Sequence, residues 1–305
     1  MGENVVDAAA WSFRPSPSHD MHLARCDHRP YVWKPVNASA FNLSRKLKQD
    51  FGNSRYLRVH IDQNEKQRVL LYEYFKTDLR SFLNTNPDLP LGVRKAILRQ
   101  VALALKELHD KNWIHLDVKP QSVMLDWDRD ENGRYSIGRV VLADLDWARH
   151  LSSAEELIDG RAGHDMWRSP EGQVGEGIGL PSEIFSFGLL CLFTITGTEP
   201  IHLDDAERLK ALGVDIDNIM LRKSLAMFAP LPLWRLARDE IMCSWSLRDL
   251  INDANHDKYA CILQGQYNVL PNLDFEAKRF IMRMTNIDMR RRATIQQILD
   301  DLWWD

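Results

Sequence analysis

The chain has 305 residues, with 39 Lys and Arg against 43 Asp and Glu and a net charge of −4. That length allows two small lobes with ample core, and the charge balance supplies no strongly basic face for nucleic acid. The four cysteines, Cys26, Cys191, Cys243 and Cys261, lie far apart with no CxxC pair, which argues against a disulfide framework or zinc site and suits a reducing compartment.

The opening MGENVVDAAAWSF lacks a basic segment followed by an apolar core, so no secretion signal is expected. Val6 stands where myristoylation of Gly2 would want Ser or Thr. Residues 1–25, with Arg14-Pro15-Ser16-Pro17-Ser18, read as a mobile lead-in. Tyr31 to Val36 is a short β-like run. Leu43 and Leu47 fall four apart between Ala40 and Asp50, with Gly52 as a stop, which predicts a helix. Leu57, Val59 and Ile61 alternate with polar residues, Asp62 to Glu65 reads as a turn, and Val69 to Tyr72 returns, so a hairpin is expected.

Beyond Tyr72 the pattern is mainly helical. Ile97, Val101, Leu105 and Leu108 form a helical stripe over Leu91 to Asp110. Val123 to Leu125 and Arg139 to Leu142 read as short strands. The acids between them resemble a calcium loop, but Glu131 stands where that loop needs Gly. Asn132-Gly133 as a hairpin turn is the better reading. Leu189 to Ile195 is apolar on all sides, as a buried helix should be, and Gly197 ends it. The longest mostly apolar run, Ile184 to Ile195, is too short to span a bilayer. An intracellular protein, cytoplasmic or nuclear, with no membrane anchor is expected.

The chemistry-bearing stretch is His115-Leu116-Asp117-Val118-Lys119-Pro120-Gln121-Ser122. It resembles the catalytic loop of protein kinases, H-R-D-x-x-x-x-N. By that resemblance Asp117 is the catalytic Asp that takes the substrate hydroxyl proton, and Lys119 neutralises the transferred phosphoryl. Leu116 replaces the Arg and Ser122 the Asn. Asp144-Leu145-Asp146, twenty-seven residues after Asp117, resembles D-F-G. Asp144 would hold Mg²⁺ against the ATP phosphates, with Ser122 as a weaker second metal ligand. Asp146, at the Gly position, would either add a metal ligand or repel nucleotide. Leu70 to Phe75 resembles the hinge between lobes, where backbone groups near Glu73 and Phe75 would meet the adenine edge. Lys34 is the candidate for the strand Lys that contacts the phosphates.

Later motifs extend the resemblance. Ser169-Pro170-Glu171 resembles A-P-E, and Asp288 to Thr294 resembles D-P-x-x-R-x-T, so Glu171 and Arg292 are expected to form a buried ion pair. Ser182 to Gly188 resembles D-x-W-S-x-G, with Glu183 expected to hold the backbone of the Asp117 loop. Ser152, Ser153 and Ser169 are candidate phosphorylation sites, although Leu116 removes the Arg that would grip such a phosphate. His115 reads as a packed framework residue.

The resemblance thins before Tyr31. No G-x-G-x-x-G precedes Lys34, and no Glu lies between Glu3 and Glu65 to pair with it, which leaves Asp50 as the stand-in. The implied architecture is α+β, a two-lobed protein-kinase-like fold over residues 26–305. Its β-rich N-lobe would cover about 26–75 and its helical C-lobe about 76–305. The implied function is ATP- and Mg²⁺-dependent phosphoryl transfer to Ser/Thr hydroxyls of a protein substrate. The alternative is a pseudokinase that binds a protein partner and transfers nothing.

Overall fold

The computed structural model describes residues 12–15, 22–26, 29–201, 216–228 and 273–305. Cys243 and Cys261 lie outside the described residues. Two compact units emerge, Met1–Leu79 with Gln121–Asp146, and Arg80–Pro120 with Trp147–Asp305. The sequence places the boundary after residue 75, with residues 121–146 in the second lobe. That segment instead belongs with the first unit, because its strands pair with Thr77 and Asp78 and with Leu57.

The first unit carries a five-stranded antiparallel sheet in the order β1-β2-β3-β5-β4. The strands are β1 (Ser12–Pro15), β2 (His22–Cys26), β3 (Arg29–Pro35), β4 (Asp62–Asn64) and β5 (Val69–Glu73). The lead-in expected to be mobile therefore holds two strands. They are recruited by main-chain pairing onto β3, with Leu23 opposite Val32 and Phe13 opposite Ala24, and such pairing needs no apolar alternation of its own.

The expected hairpin is also displaced. Its first strand is Asp62–Asn64, paired with Val69–Leu71, so the residues read as the turn are the strand. The alternating Leu57 segment instead runs beside Leu142, with Arg58 N donating to Leu142 O at 2.9 Å. The helix α1 (Ala38–Phe51) starts at Asn37, whose side chain accepts from Ala40 N at 2.9 Å.

A second sheet in this unit has the order β6-β8-β9. It comprises β6 (Thr77–Asp78), β8 (Val123–Arg129) and β9 (Tyr135–Leu142). Both hairpin strands are longer than expected. Their three-residue loop, Glu131 to Gly133, has Gly133 N bonded to Asp130 O at 2.9 Å and Gly133 at φ 78. That positive φ is why Gly is needed at this turn.

The second unit is helical. It contains most of α2 (Leu79–Thr85), then α3 (Leu91–His109), α4 (Pro170–Val174), α5 (Leu180–Thr196), α6 (Ile216–Phe228), α7 (Phe275–Met284) and α8 (Ile295–Leu299). A two-stranded pair, β7 (Trp113–Ile114) and β10 (Arg149–His150), joins them. The predicted stripe of α3 is buried, and Phe185, Phe187 and Leu189 of α5 are fully enclosed. Each such side chain stabilises by about 1.5–3 kcal/mol through burial. The helix α5 ends at Gly197, as predicted. Among the described residues no helix is long and apolar enough to cross a membrane.

Candidate functional site

Lys34, Glu73, Phe75, Ser122 and Asp144 belong to the first unit, and Asp117 and Lys119 to the second. In the first unit Lys34 sits on β3 opposite Leu70, inside the sheet. Its Nζ donates to Asp146 Oδ2 at 2.6 Å, so the lysine's carboxylate is Asp146 rather than Asp50. Burial alone would push the Lys34 ammonium down, but Asp146, with Tyr72 and Asp144 beyond it, outweighs burial and holds it above its ordinary value. The helix α1 offers Ser44 to this hollow, and Ser44 Oγ bonds His60 Nδ1 at 2.7 Å. Asp146 thus supplies the charge that the helix lacks.

Asp144 takes φ 59, a backbone region that non-glycine residues enter at some cost and that is common at functional loops. Asp146 itself lies in a short 3₁₀ turn, Leu145–Trp147. Ser122 is fully buried, and its carbonyl accepts from Ala143 N at 2.7 Å, which fixes the strand end next to Asp144.

Lys34, Arg58, Tyr72, Asp144 and Asp146 line one open hollow. Among the described residues no three His, Cys, Asp or Glu converge as a metal cage. Magnesium normally takes one or two carboxylates together with substrate phosphates. An ammonium beside two carboxylates therefore fits Mg²⁺ arriving with a polyphosphate, and does not fit a resident metal ion.

The hinge-like segment carries a contact that no motif announces. Arg58 donates from Nη2 at 2.6 Å and from Nε at 3.1 Å to Glu73 O, an acceptor expected to meet the adenine edge. The guanidinium lies 5.2 Å from the Tyr72 ring centre and 5.8 Å from that of Phe75. Glu73 Oε2 pairs with Arg139 at 2.5 Å, and Arg139 sits 4.8 Å from the Phe75 ring. The available signal was a lone Arg among apolar neighbours at Leu57-Arg58-Val59.

In the second unit Glu183, in the first turn of α5, clamps the Asp117 loop as expected. Its Oε1 accepts from His115 N at 2.6 Å and Leu116 N at 3.1 Å, and its Oε2 meets His109 Nε2 at 2.8 Å. His115 is fully buried, and its Nδ1 accepts from Asp117 N at 3.1 Å, which assigns the ring proton to Nε2. Leu116 is held at φ 68 between these bonds. Lys119 Nζ donates to Asp117 Oδ2 at 2.5 Å, and His164 N donates to Asp117 Oδ1 at 3.0 Å.

Gly163, at φ 76, passes so close that a Cβ would lie 2.0 Å from Leu116 O. Further on, Arg292 Nη1 and Nη2 grip Glu171 Oε1 and Oε2 at 2.5 and 2.8 Å. Ser169 is 2 % exposed and caps α4 through Gly172 N at 3.2 Å, so it is a framework hydroxyl and no longer a candidate phosphorylation site.

The model of the family described as "Protein kinase domain" matches residues 55–304. Among curated relatives, "Serine/threonine-protein kinase ULK3" of Xenopus laevis is 32% identical over 123 residues, 40% of this chain and 25% of that protein. "Serine/threonine-protein kinase ULK1" of Homo sapiens is 24% identical over 206 residues, 67% of this chain and 19% of that protein. The chain thus spans a quarter or less of these relatives' length. A solved structure, "Crystal Structure of the yeast RNA Pol II CTD kinase CTDK-1 complex", overlays with TM-score 0.74 at 14% identity, covering 99% of this chain and 95% of that one. This likeness establishes the α+β, two-lobed kinase fold. On the family match over residues 55–304, the chain belongs to the protein kinase domain family.

Proposed function

We propose that the protein is an intracellular kinase-like phosphotransferase that moves the γ-phosphoryl of ATP to a Ser or Thr hydroxyl of a protein. The observation that carries this reading is the Asp117–Lys119 pair at 2.5 Å on a loop clamped by Glu183. A carboxylate gripped by an ammonium and by a backbone N–H is fixed in orientation, as an acceptor of a hydroxyl proton must be. Lys119 would offset charge on the transferred group, and Lys34 would leave Asp146 to contact phosphates. Asp144, with Ser122 behind it, would hold Mg²⁺. When bound there, the ion would supply positive charge against the phosphates.

A second reading, a pseudokinase that binds a protein partner without transfer, is favoured by two observations. Asp146 already occupies Lys34, and Arg58 already occupies Glu73 O. A thermal-shift titration with ATP, with and without Mg²⁺, separates the two readings. A ligand at 100 times its dissociation constant adds about 2.7 kcal/mol of stability, so an active enzyme shows an upward, Mg²⁺-dependent shift. No shift at millimolar nucleotide favours the second reading.

A further inference from the structure

Arg58 is a cation placed where a neutral base should lie. Both of its donors converge on a single neutral acceptor, Glu73 O, at 2.6 and 3.1 Å. Its guanidinium lies over the rings of Tyr72 and Phe75, 5.2 and 5.8 Å from their centres. Among the described residues no carboxylate is within ion-pair distance of it, although it lines the same hollow as Lys34, Asp144 and Asp146. The guanidinium is therefore held by hydrogen bonds and ring contacts rather than by an ion pair, and it can be released.

We propose that Arg58 is a gate on the base-binding edge of this hollow. With its guanidinium on Glu73 O, that acceptor cannot take the 6-amino group of adenine, and nucleotide binds through its phosphates alone. The inference rests on the nucleotide-binding reading of the same hollow, and it adds a regulation that the reading does not contain. Arg139 pins the same segment. It holds the Glu73 carboxylate at 2.5 Å and covers Phe75, keeping the segment fixed while Arg58 moves.

The test uses the full chain, as wild type and as Arg58→Leu, titrated by calorimetry with Mg²⁺–ATP and Mg²⁺–ITP. ITP carries an oxygen where ATP carries the amino group. Two charge-assisted bonds removed from the base edge should tighten ATP binding about tenfold or more. Arg58→Leu should also prefer ATP over ITP, whereas the wild type should barely distinguish them. Should Arg58→Leu fail to fold, Arg58→Gln replaces it, and the wild-type ATP/ITP ratio stands as an independent reading. Folded variants that bind ATP no tighter than wild type, including no binding by either, overturn the gate, as does a wild type that strongly prefers ATP. Phosphoryl transfer is read separately. Tightened binding without transfer sinks the proposed activity and leaves the gate, and transfer without tightening does the reverse.

Discussion

Replacing Arg292 with Met should be among the most damaging single changes in the second unit. The Arg292 side chain is fully buried, and that of Glu171 is 5% exposed. Besides the bidentate grip on Glu171, Arg292 donates to Pro181 O at 3.0 Å, Asn286 O at 2.7 Å and Ile287 O at 3.3 Å. Met would strand a buried carboxylate with only Ser182 Oγ, 2.6 Å away, as a side-chain partner, and three carbonyls would lose their donor. Breaking a buried pair on one side costs about 3–5 kcal/mol. In a chain of this size that lowers Tm by about 5–8 °C. Arg292→Met/Glu171→Leu should cost clearly less than the two single changes together, because no charge is left stranded.

Urea denaturation followed by tryptophan fluorescence measures each leg, and pH supplies a sign. Burial alone would raise the Glu171 carboxyl, but Arg292 and Ser182 outweigh it and hold the group below its ordinary value. A depressed native pKa contributes stability that is present above the unfolded value and is lost as pH falls through the native one. Without Arg292, burial wins, the carboxyl rises above its unfolded value, and this group's contribution reverses sign. A single substitution costing under about 1 kcal/mol, or strict additivity in the double variant, would refute the reasoning.

Two other changes probe the parts of the fold that carry the sites. Burial, helped by Lys48, holds His60 down at about 4 against an ordinary 6.5. As pH falls from 6.5 to about 4 the unfolded chain takes up a proton that the folded one refuses, so stability is lost across that window. His60→Gln should flatten the loss, and urea midpoints at pH 7 and 4.5 that change equally in both proteins would contradict this. Gly163→Ala puts a methyl group 2.0 Å from Leu116 O at φ 76 and should cost more than about 1 kcal/mol. It should also slow any transfer by loosening the His164 bond to Asp117. An unchanged urea midpoint would argue against it.

Much of this was legible because the motifs come in pairs. Glu171 and Arg292 lie far apart in the chain yet predicted one buried contact, and Glu183 implied the clamp on the Asp117 loop. The long stripe of α3 and the all-apolar α5 declared themselves by burial. What stayed hidden was set by register and by side-chain reach. Residues 12–15 and 22–26 show no alternation, because their pairing is a main-chain matter. The Leu57 alternation was real, but its start runs beside Leu142 and only Ile61, bonded to Leu71 O, reaches β5. No spacing rule says that Arg58 reaches Glu73 O, or that Asp146 takes the place of a missing helix carboxylate, since both depend on where the strands bring side chains together.

Phosphate transfer from Mg²⁺–ATP to Ser/Thr peptides, compared between wild type and Asp117→Asn, tests the central claim most directly. The substitution keeps the shape of the loop and removes the charge that Lys119 and His164 N hold in place. The account predicts measurable transfer by the wild type and a loss of about 10²-fold or more in the variant. Equal rates in the two proteins, or no transfer by the wild type at saturating nucleotide, would contradict it.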